Sequence, residues 1–358
     1  MLARALLTKC LSTYQPSFFD ESERLTALSQ LRDPLEELSR YIDFGLFRPE
    51  LTAVLARSPA PVAGRKPYDV VLMFKILILQ RLFNLSDEQT EYQITDRLSF
   101  TRFLGLRLGS KLPDFTTVWR FREALTTAGV VKRLFDQFTT ELARQGVLTK
   151  AGVIVDASIV EVPRPRNTRE ENAELKAGQT PAAWTEPPRK LAQKDRDARW
   201  TKKGGETFYG YKDHVRTDAG TVRITDYVVT PATTHDSQAL PELVGPQDRG
   251  QSLWADSAYK SAATDAQLPR WGVDNQIHEK GTRGAELSEA QKTPNRQKSK
   301  IRCLVEHIFG YIENSMHGPE LEYIGLARIS TGIGLANLTY NLCRYVQLIR
   351  LGSVAVTA

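Results

Sequence analysis

The sequence predicts an α/β fold, α+β overall, in which a mixed β-sheet flanked by helices follows an all-α N-terminal region. Two observations support this prediction. Apolar residues recur at three- and four-residue steps through the first 148 residues, as on the buried face of amphipathic helices. Later, short continuous apolar runs alternate with helical patterns, and hairpin-linked strands followed by βα units are typical of a mixed sheet. We therefore predict a helical region at 1–148 and an α/β domain at 149–358.

Helical spacing and capping residues predict the elements of the first region in order. Leucines recur at helical spacing through 25–38, with a break at Pro34. Ser86 followed by Gln89 is a capping box, and the threonines at 116–117 are candidate caps for the helix that follows them. The predicted helices are 20–38, 49–55, 67–83, one starting at 86, 116–125 and 130–144, with a loop at 58–66.

Apolar runs and turn signals predict the strands of the second region. The buried run at 152–155 ends in Asp156, and the run at 252–255 ends in Asp256. Residues 218–220 are a hairpin signal between two longer strands. The predicted strands are 152–155, 207–216, 222–230, 252–255 and 273–278. The predicted helices are 236–244, 260–270, 298–315 and 324–351.

Residues 161–205 differ in composition from the strands on either side. They contain five prolines, three glycines and few large aliphatic residues, with eleven Lys or Arg against seven Asp or Glu. We predict a basic, flexible insertion with little core of its own. A second basic loop is predicted at 280–300.

Composition excludes several classes of protein. Three scattered cysteines are inconsistent with a disulfide framework or a structural zinc cluster and fit a reducing, cytoplasmic environment. The longest apolar run, 70–79, is interrupted by Lys75 and is too short to span a bilayer, so no membrane association is expected. No glycine-rich phosphate loop follows a strand, which disfavours nucleotide hydrolysis. The net charge of +6 indicates a polyanionic partner.

Three carboxylates are the strongest candidates for chemistry. Asp156 and Asp256 end predicted buried strands, and strand ends are where ligands gather in open α/β sheets. Glu306 shares a helix face with Arg302 and Glu313. Taken singly, an aspartate at a strand end often caps a turn, and Glu306 could form an ordinary helix ion pair with Arg302. Three carboxylates at one sheet edge would repel each other, and hard divalent cations such as Mg²⁺ relieve that repulsion. Two such ions about 4 Å apart suit phosphodiester chemistry.

The order of these motifs resembles that of the bacterial insertion-sequence transposases with a DDE triad. In that family a ribonuclease H-like catalytic domain follows a helical N-terminal transposase domain. The resemblance covers about residues 15–350. Its carriers are VIVDAS (153–158), ARWTKKGGETFYGYKDHV (198–215), THDS (234–237), WADSAYKS (254–261) and NRQKSKIRCLVEHIFGYIE (295–313).

The resemblance implies a ligand set, a reaction and partners. Asp156, Asp256 and Glu306 would hold two Mg²⁺ ions, with Mn²⁺ as a substitute. The expected reaction is cleavage at transposon ends, followed by strand transfer of the freed 3′-OH into target DNA. The expected partners are double-stranded DNA, namely terminal inverted repeats and target, and further copies of the chain in a homodimer or larger oligomer. The expected location is the bacterial nucleoid.

Two residues depart from the family's extended glutamate signature. Ser299 and Glu313 stand where the family often has tyrosine and lysine. Glu313 would repel a phosphate, so one expected contact to the transposon end is missing. Two alternatives therefore stay open. One is a nuclease on the same fold that cuts without joining; the other is a catalytically inert, sequence-specific DNA-binding protein derived from a transposase.

Several basic and aromatic residues are candidates for contacting DNA. An aromatic beside lysines, as at 200–203, can stack on a base while the amines hold phosphates. Residues 114–127 could form a recognition helix, or a plain bundle helix. Arg302 could bind phosphate or orient Glu306. The full set of candidate DNA contacts is Arg120, Arg122, Trp200, Lys202, Lys203, Lys212, Lys298, Lys300, Arg302 and His307.

Overall fold

Eight α-helices lie before residue 148 in the described part of the chain, as the hydrophobic periodicity predicts. The computed structural model describes residues 19–56, 67–107, 109–185, 188–281, 287–318 and 321–354. The first helices are α1 (Asp20–Gln30), α2 (Pro34–Tyr41), α3 (Arg48–Ala56), α4 (Val70–Leu82), α5 (Asp87–Asp96), α6 (Leu98–Leu104), α7 (Phe115–Ala128) and α8 (Val131–Arg144). The predicted loop at 58–66 lies outside the described residues.

Side-chain caps determine where these helices begin. The predicted capping box of α5 is confirmed, because the Ser86 and Gln89 side chains each accept the other residue's backbone N–H. Helix α4 begins only after Asp69, whose carboxylate caps it. The predicted threonine caps of α7 are wrong: Asp114 accepts the Thr117 N–H at 2.7 Å, so α7 begins at Phe115.

The second region forms the predicted ribonuclease H-like mixed sheet. Its strands are β1 (Val153–Glu161), β2 (Arg199–Lys203), β3 (Glu206–Asp218), β4 (Arg223–Pro231), β5 (Ser252–Ala255) and β6 (Asp274–Asn275). Strands β1, β3 and β4 are antiparallel neighbours in the order β4-β3-β1, and β2 pairs with the first residues of β3. Strands β5 and β6 continue the sheet beyond β1 in parallel. The hairpin predicted at 218–220 connects β3 to β4.

Helices cover the sheet and follow it. They are α9 (Arg169–Lys176), α10 (Ala182–Thr185), α11 (Pro188–Ala192), α12 (Asp236–Leu243), α13 (Ala262–Trp271), α14 (Glu289–Arg302), α15 (Glu306–Gly310) and α16 (Leu326–Arg350). A 3₁₀ turn at Cys303–Val305 joins α14 to α15, and a π-helical turn at Tyr311–Ser315 follows α15. No helix in the described ranges is both long and apolar enough to cross a membrane.

Two segments expected to be loops contain helices instead. Residues 161–205 include α9, α10 and α11, and Trp184 among them is fully buried. The Trp184 indole N–H donates to Glu171 at 2.7 Å, so this segment has a small core that its composition did not indicate. The predicted loop at 280–300 contains most of α14. The strand predicted at 273–278 shortens to β6.

One continuous core joins the helical region to the sheet. It contains Leu77 of α4, Phe135 of α8, Ile154 of β1 and Leu338 of α16, all almost completely buried. Helix α16 packs against α4, α7 and α8 and also against β4. Since side chains alternate along β1, Val155 points to the opposite face, into a second cluster with α12 and α13. The sheet is therefore rigidly backed on both faces.

Candidate functional site

Two aspartates lie next to each other because of the strand register. Strands β1 and β5 are parallel neighbours, and Val155 pairs with Ala255. The next residues along each chain are Asp156 and Asp256. Asp256 follows the end of β5 as predicted, whereas the predicted end of the first strand at residue 155 is wrong, because β1 continues through Asp156 to Glu161. Both carboxylates line the same cleft.

Asp156 is the more deeply placed of the two. Its side chain is only 15% exposed, and one carboxylate oxygen accepts the Ala157 N–H at 2.8 Å while the other accepts from Arg302 at 2.7 Å. Burial raises the pKa of Asp156 to about 6; the Ala157 N–H and the Arg302 charge act against this rise, and the Asp256 charge adds to it. The raised pKa therefore reflects chiefly the burial of the Asp156 carboxylate.

Asp256 combines a local role with its place in the cleft. Its carboxylate accepts the Ala258 N–H at 2.9 Å and so caps the 3₁₀ turn Ser257–Tyr259. This is the turn-capping role weighed for it from the sequence. The same residue lines the cleft beside Asp156.

Glu306 reaches the cleft from the other side. It is the first residue of α15, directly after the 3₁₀ turn that follows α14, and its side chain is 60% exposed. The Arg302 guanidinium donates to Glu306 at 2.8 Å and to Asp156 at 2.7 Å. Arg302 therefore bridges the helix that carries Glu306 to the strand that carries Asp156.

An open cleft of about 570 Å³ contains all three predicted carboxylates. Its lining residues are Asp156, Ala157, Ser158, Ile159, Lys203, Phe208, Asp256, Ser257, His278, Arg302, Glu306 and Phe309. Three carboxylates on one cleft are the hard oxygen donors that Mg²⁺ and Mn²⁺ prefer. Among the described residues, however, no three acidic, histidine or cysteine side chains are grouped closely enough to hold a metal ion. The donor chemistry fits a divalent cation, and Arg302 occupies the space between two of the donors.

His278 lines the cleft and was not singled out from the sequence. Its backbone N–H donates to Ala255 at 3.1 Å, and its imidazole Nε2 lies 3.3 Å from the Ser299 hydroxyl. Burial lowers its pKa, and the charges of Arg302 and Lys298 lower it further. The available signal was its position at the end of the predicted strand 273–278, the same place that Asp156 and Asp256 take on theirs.

Buried polar side chains connect the two segments that carry the aspartates. The His214 imidazole of β3 contacts the Thr230 hydroxyl at 2.9 Å and lies 3.5 Å from the Tyr259 hydroxyl. Tyr259 follows Asp256 by three residues, and His214 pairs across the sheet with Ala157, next to Asp156. This contact ties the two aspartate-bearing segments together. Nothing in the local sequence pattern predicted it.

Six candidate DNA contacts have exposed side chains, and one of them, Lys203, lines the cleft. They are Arg120, Trp200, Lys202, Lys203, Lys300 and His307, all exposed. Trp200 is 42% exposed and packs against Tyr209, with the Arg164 guanidinium 5.7 Å from its ring. Glu313 is also exposed, on the π-helical turn.

Three other candidates are committed to internal contacts. Arg122 is buried and donates to both oxygens of Asp87, which contradicts the expectation that it reaches DNA. Lys212 donates to Asp236 and to the Thr234 carbonyl, both at 2.8 Å. Lys298 donates to the Ile277 carbonyl at 2.9 Å. In each case one basic side chain holds two chain segments together.

Comparison with known families agrees with this geometry. Residues 23–124 match the family described as a transposase domain (DUF772), and residues 148–342 match the transposase DDE domain. The chain belongs to the DDE transposase family. DDE transposase domains generally use divalent metal ions, which agrees with the oxygen donors of the cleft.

Among solved structures, this transposase resembles a piggyBac transposase synaptic complex with hairpin DNA. The two chains are 11% identical, with a TM-score of 0.43, over 93% of this chain and 78% of the other.

Proposed function

We propose that this transposase cleaves DNA at the ends of an insertion sequence and joins the freed 3′-OH to target DNA. The observation that carries the proposal is the β1–β5 register, which brings Asp156 and Asp256 to one sheet edge opposite Glu306. The proposal gives the family's general activity a specific pair of steps, hydrolysis and then transesterification.

The three carboxylates are proposed as the ligands of two Mg²⁺ ions, for which Mn²⁺ substitutes. When bound, such ions activate the attacking oxygen and stabilise the leaving oxygen of a phosphodiester. The protein contributes the rest. The parallel strands hold Asp156 and Asp256 rigidly, and α15 presents Glu306 from the facing side. Neither step needs a covalent enzyme intermediate or a nucleotide cofactor.

Basic side chains at the rim of the cleft are proposed to hold the DNA backbone. Lys203 lines the cleft, and Lys202, Lys300 and His307 are exposed on the same strand or helices. Trp200 offers a ring on which an unpaired base can stack. Because these contacts are to phosphates, binding should weaken steeply with salt concentration.

Two transposon ends must be brought together before joining, so we propose that the active form is a homodimer or larger assembly on DNA. The expected partners are the terminal inverted repeats and target DNA, in the nucleoid. Sedimentation of the protein with and without end DNA tests this point; a single monomer bound to each DNA under joining conditions would contradict it.

Two observations favour a second candidate function, an inert DNA-binding protein. Arg302 pairs with both Asp156 and Glu306, which could neutralise the site permanently, and Glu313 stands in the place of the family's lysine. On this reading the protein binds end DNA without cutting it.

An assay with DNA from the two sides of the coding region separates these possibilities. Purified protein is incubated with a labelled end fragment and a supercoiled target, in Mg²⁺ or in EDTA, beside an Asp156→Asn variant. Mg²⁺-dependent nicking and joined products, absent with the variant, are expected. Nicking without joining would indicate the nuclease. DNA binding without nicking by either protein would indicate a catalytically inert DNA-binding protein.

A further inference from the structure

Arg302 holds the two carboxylates of the cleft that come from different elements. Its guanidinium donates one N–H to Asp156 at 2.7 Å and another to Glu306 at 2.8 Å. The Arg302 side chain is only 20% exposed. A planar fork that binds two carboxylates at once is a strong charge-assisted arrangement, so the contact defines this state of the cleft.

The same oxygen atoms are the ones that a divalent cation would need. Asp156 uses its second oxygen for the Ala157 N–H, so Arg302 takes the oxygen that is left. The guanidinium lies between the two carboxylates and neutralises both, so a cation placed between Asp156 and Glu306 competes with it for the same space and charge. Arg302 and the cation are alternatives at this position.

DNA provides a group that can accept the displaced guanidinium. Phosphate, like carboxylate, matches the planar fork of arginine. Arg302 lies within the cleft, next to Lys203, where a phosphodiester must come to react. A phosphate there competes for the guanidinium and leaves Asp156 and Glu306 without it.

We propose that Arg302 is a latch that couples DNA binding to divalent-cation binding. Without DNA, the arginine pairs with Asp156 and Glu306 and weakens cation binding. With DNA in the cleft, the arginine transfers to a backbone phosphate and both carboxylates become ligands. This inference rests on the proposed function, and it makes Arg302 a positioning residue rather than a cation ligand or a catalytic residue.

Thermodynamic linkage makes the latch measurable without any turnover. If DNA raises the affinity for the cation by some factor, the cation raises the affinity for DNA by the same factor. For the wild type we expect DNA to raise Mn²⁺ affinity by about ten-fold, within the usual range for coupled sites. Removing the latch should raise Mn²⁺ affinity without DNA and abolish most of this coupling.

The experiment titrates the full-length protein with Mn²⁺ and follows free Mn²⁺ by electron paramagnetic resonance. Titrations are done with and without a short duplex that carries the end sequence flanking the coding region. Arg302→Gln, which cannot bridge two carboxylates with charge, is expected to bind Mn²⁺ about ten-fold more tightly than wild type without DNA. Arg302→Lys is expected to fall between the two, because a single ammonium replaces the fork.

Lys203→Gln is the matched control for charge alone. Lys203 lines the same cleft and its charge acts on Asp156, but Arg302 is the residue that bridges the carboxylates. If Lys203→Gln raises Mn²⁺ affinity as much as Arg302→Gln does, removal of any positive charge from the cleft explains the increase, and the latch is refuted. Thermal unfolding of each variant identifies any that do not fold, and Arg302→Lys then replaces Arg302→Gln in the comparison.

Asp156→Asn separates failure of the latch from failure of the proposed function. If Asp156→Asn loses Mn²⁺ binding while Arg302→Gln behaves like wild type with and without DNA, the cation site stands and the latch is wrong. If Asp156→Asn binds Mn²⁺ as tightly as wild type, the cation is held elsewhere. In that case the proposed site and the latch both fail.

Discussion

Arg122 of α7 and Asp87 of α5 form an ion pair with two contacts of 2.7 Å inside the helical region. The Gln80 side chain contacts both partners, and the Tyr323 ring lies 4.9 Å from the guanidinium. Asp87 holds a lowered pKa because its hydrogen bonds to Arg122 and Gln80 outweigh the effect of burial. An arginine expected to face DNA is therefore part of the core that joins α4, α5 and α7.

Removing this arginine should unfold the helical region rather than impair DNA contact directly. Arg122→Ala leaves the largely buried Asp87 carboxylate without its cationic partner and with only the Gln80 amide as a donor, which should reduce the free energy of unfolding by about 3 kcal/mol. Arg120→Ala, on the exposed face of the same helix, should change it by less than about 0.5 kcal/mol. Denaturant unfolding of both variants checks this. Equal stability of the two variants would show that the ion pair is unimportant.

Replacement of Glu306 should affect chemistry and not binding. Glu306→Gln removes one negative oxygen from the proposed cation site, which should slow cleavage by about a thousand-fold or more, since such ions supply several kcal/mol. DNA affinity measured in EDTA should not fall, because Glu306 is not proposed to contact DNA and its loss frees Arg302 for phosphate. Cleavage rates and filter-binding affinities are the measurements.

Glu313→Gln is the matched control for that experiment. Glu313 is exposed seven residues further along and stands where the family often has lysine. Removing its charge should leave cleavage intact and strengthen DNA binding slightly by relieving repulsion of phosphate. Comparable loss of cleavage in Glu313→Gln and Glu306→Gln would refute the assignment of Glu306.

Asp213 and His214 give opposite pH dependences to stability. They are neighbours on β3, but Asp213 faces Asn337 of α16 while His214 faces Tyr259. Burial raises the pKa of Asp213 to about 7 and lowers the pKa of His214 to about 4. Between about pH 4 and 6.5, the folded state therefore keeps a proton on Asp213 and none on His214. In the same range the unfolded state has an ionised aspartate and a protonated histidine. The two effects on stability oppose each other there.

Variants that remove one of the two groups should show the pH dependence of stability that the other group causes. With Asp213→Asn, the lowered His214 pKa remains, so stability should fall as pH drops from 6.5 towards 4. With His214→Gln, the raised Asp213 pKa remains, so stability should fall as pH rises from about 4 towards 7. Melting temperatures of both variants across this range provide the check. Parallel pH profiles for wild type and both variants would contradict the assignment.

Trp184 should be the residue that orders the segment between β1 and β2. Its ring is fully buried, its N–H donates to Glu171 of α9, and the Lys194 ammonium lies 5.1 Å from the ring centroid. Trp184→Ala should cost about 3–5 kcal/mol of local stability, seen as faster proteolysis within residues 169–192. Trp200→Ala, which removes a ring that is 42% exposed, is the control and should leave the pattern of proteolytic fragments unchanged. Resistance of Trp184→Ala to protease would mean that the segment is ordered by other contacts.

Much of the architecture was predictable because it depends on local patterns. The spacing of apolar residues predicted the helices of the first region, and the box at Ser86 and Gln89 predicted the start of α5. The runs that end in Asp156 and Asp256 predicted two buried strands. These features follow from residues within a few positions of each other, where periodicity and hydrogen-bonding geometry decide the conformation.

Long-range contacts were not predictable in the same way. Asp195, within the predicted flexible insertion, accepts hydrogen bonds from the Tyr211 hydroxyl and from the Gly325 N–H at the start of α16. These contacts join segments up to 130 residues apart. Composition described the segment as basic and poor in aliphatic residues, but it carried no information about the partners that order it.

The site also contains residues that local sequence identified and residues whose role depended on long-range contacts. Apolar runs that precede Asp156 and Asp256 and a helix pattern around Glu306 singled out the three carboxylates that line one cleft, although β1 continues past Asp156. The tertiary structure decided which basic residues face the cleft. The local sequence around an arginine or lysine does not show whether its charge faces water or a buried aspartate. Arg120 and Arg122 differ in this way on one helix. Packing between distant elements determines how much of each side chain is buried and which carboxylate it contacts. The bridge from Arg302 to Asp156 and Glu306 is one result, because Asp156 lies 146 residues away in the sequence.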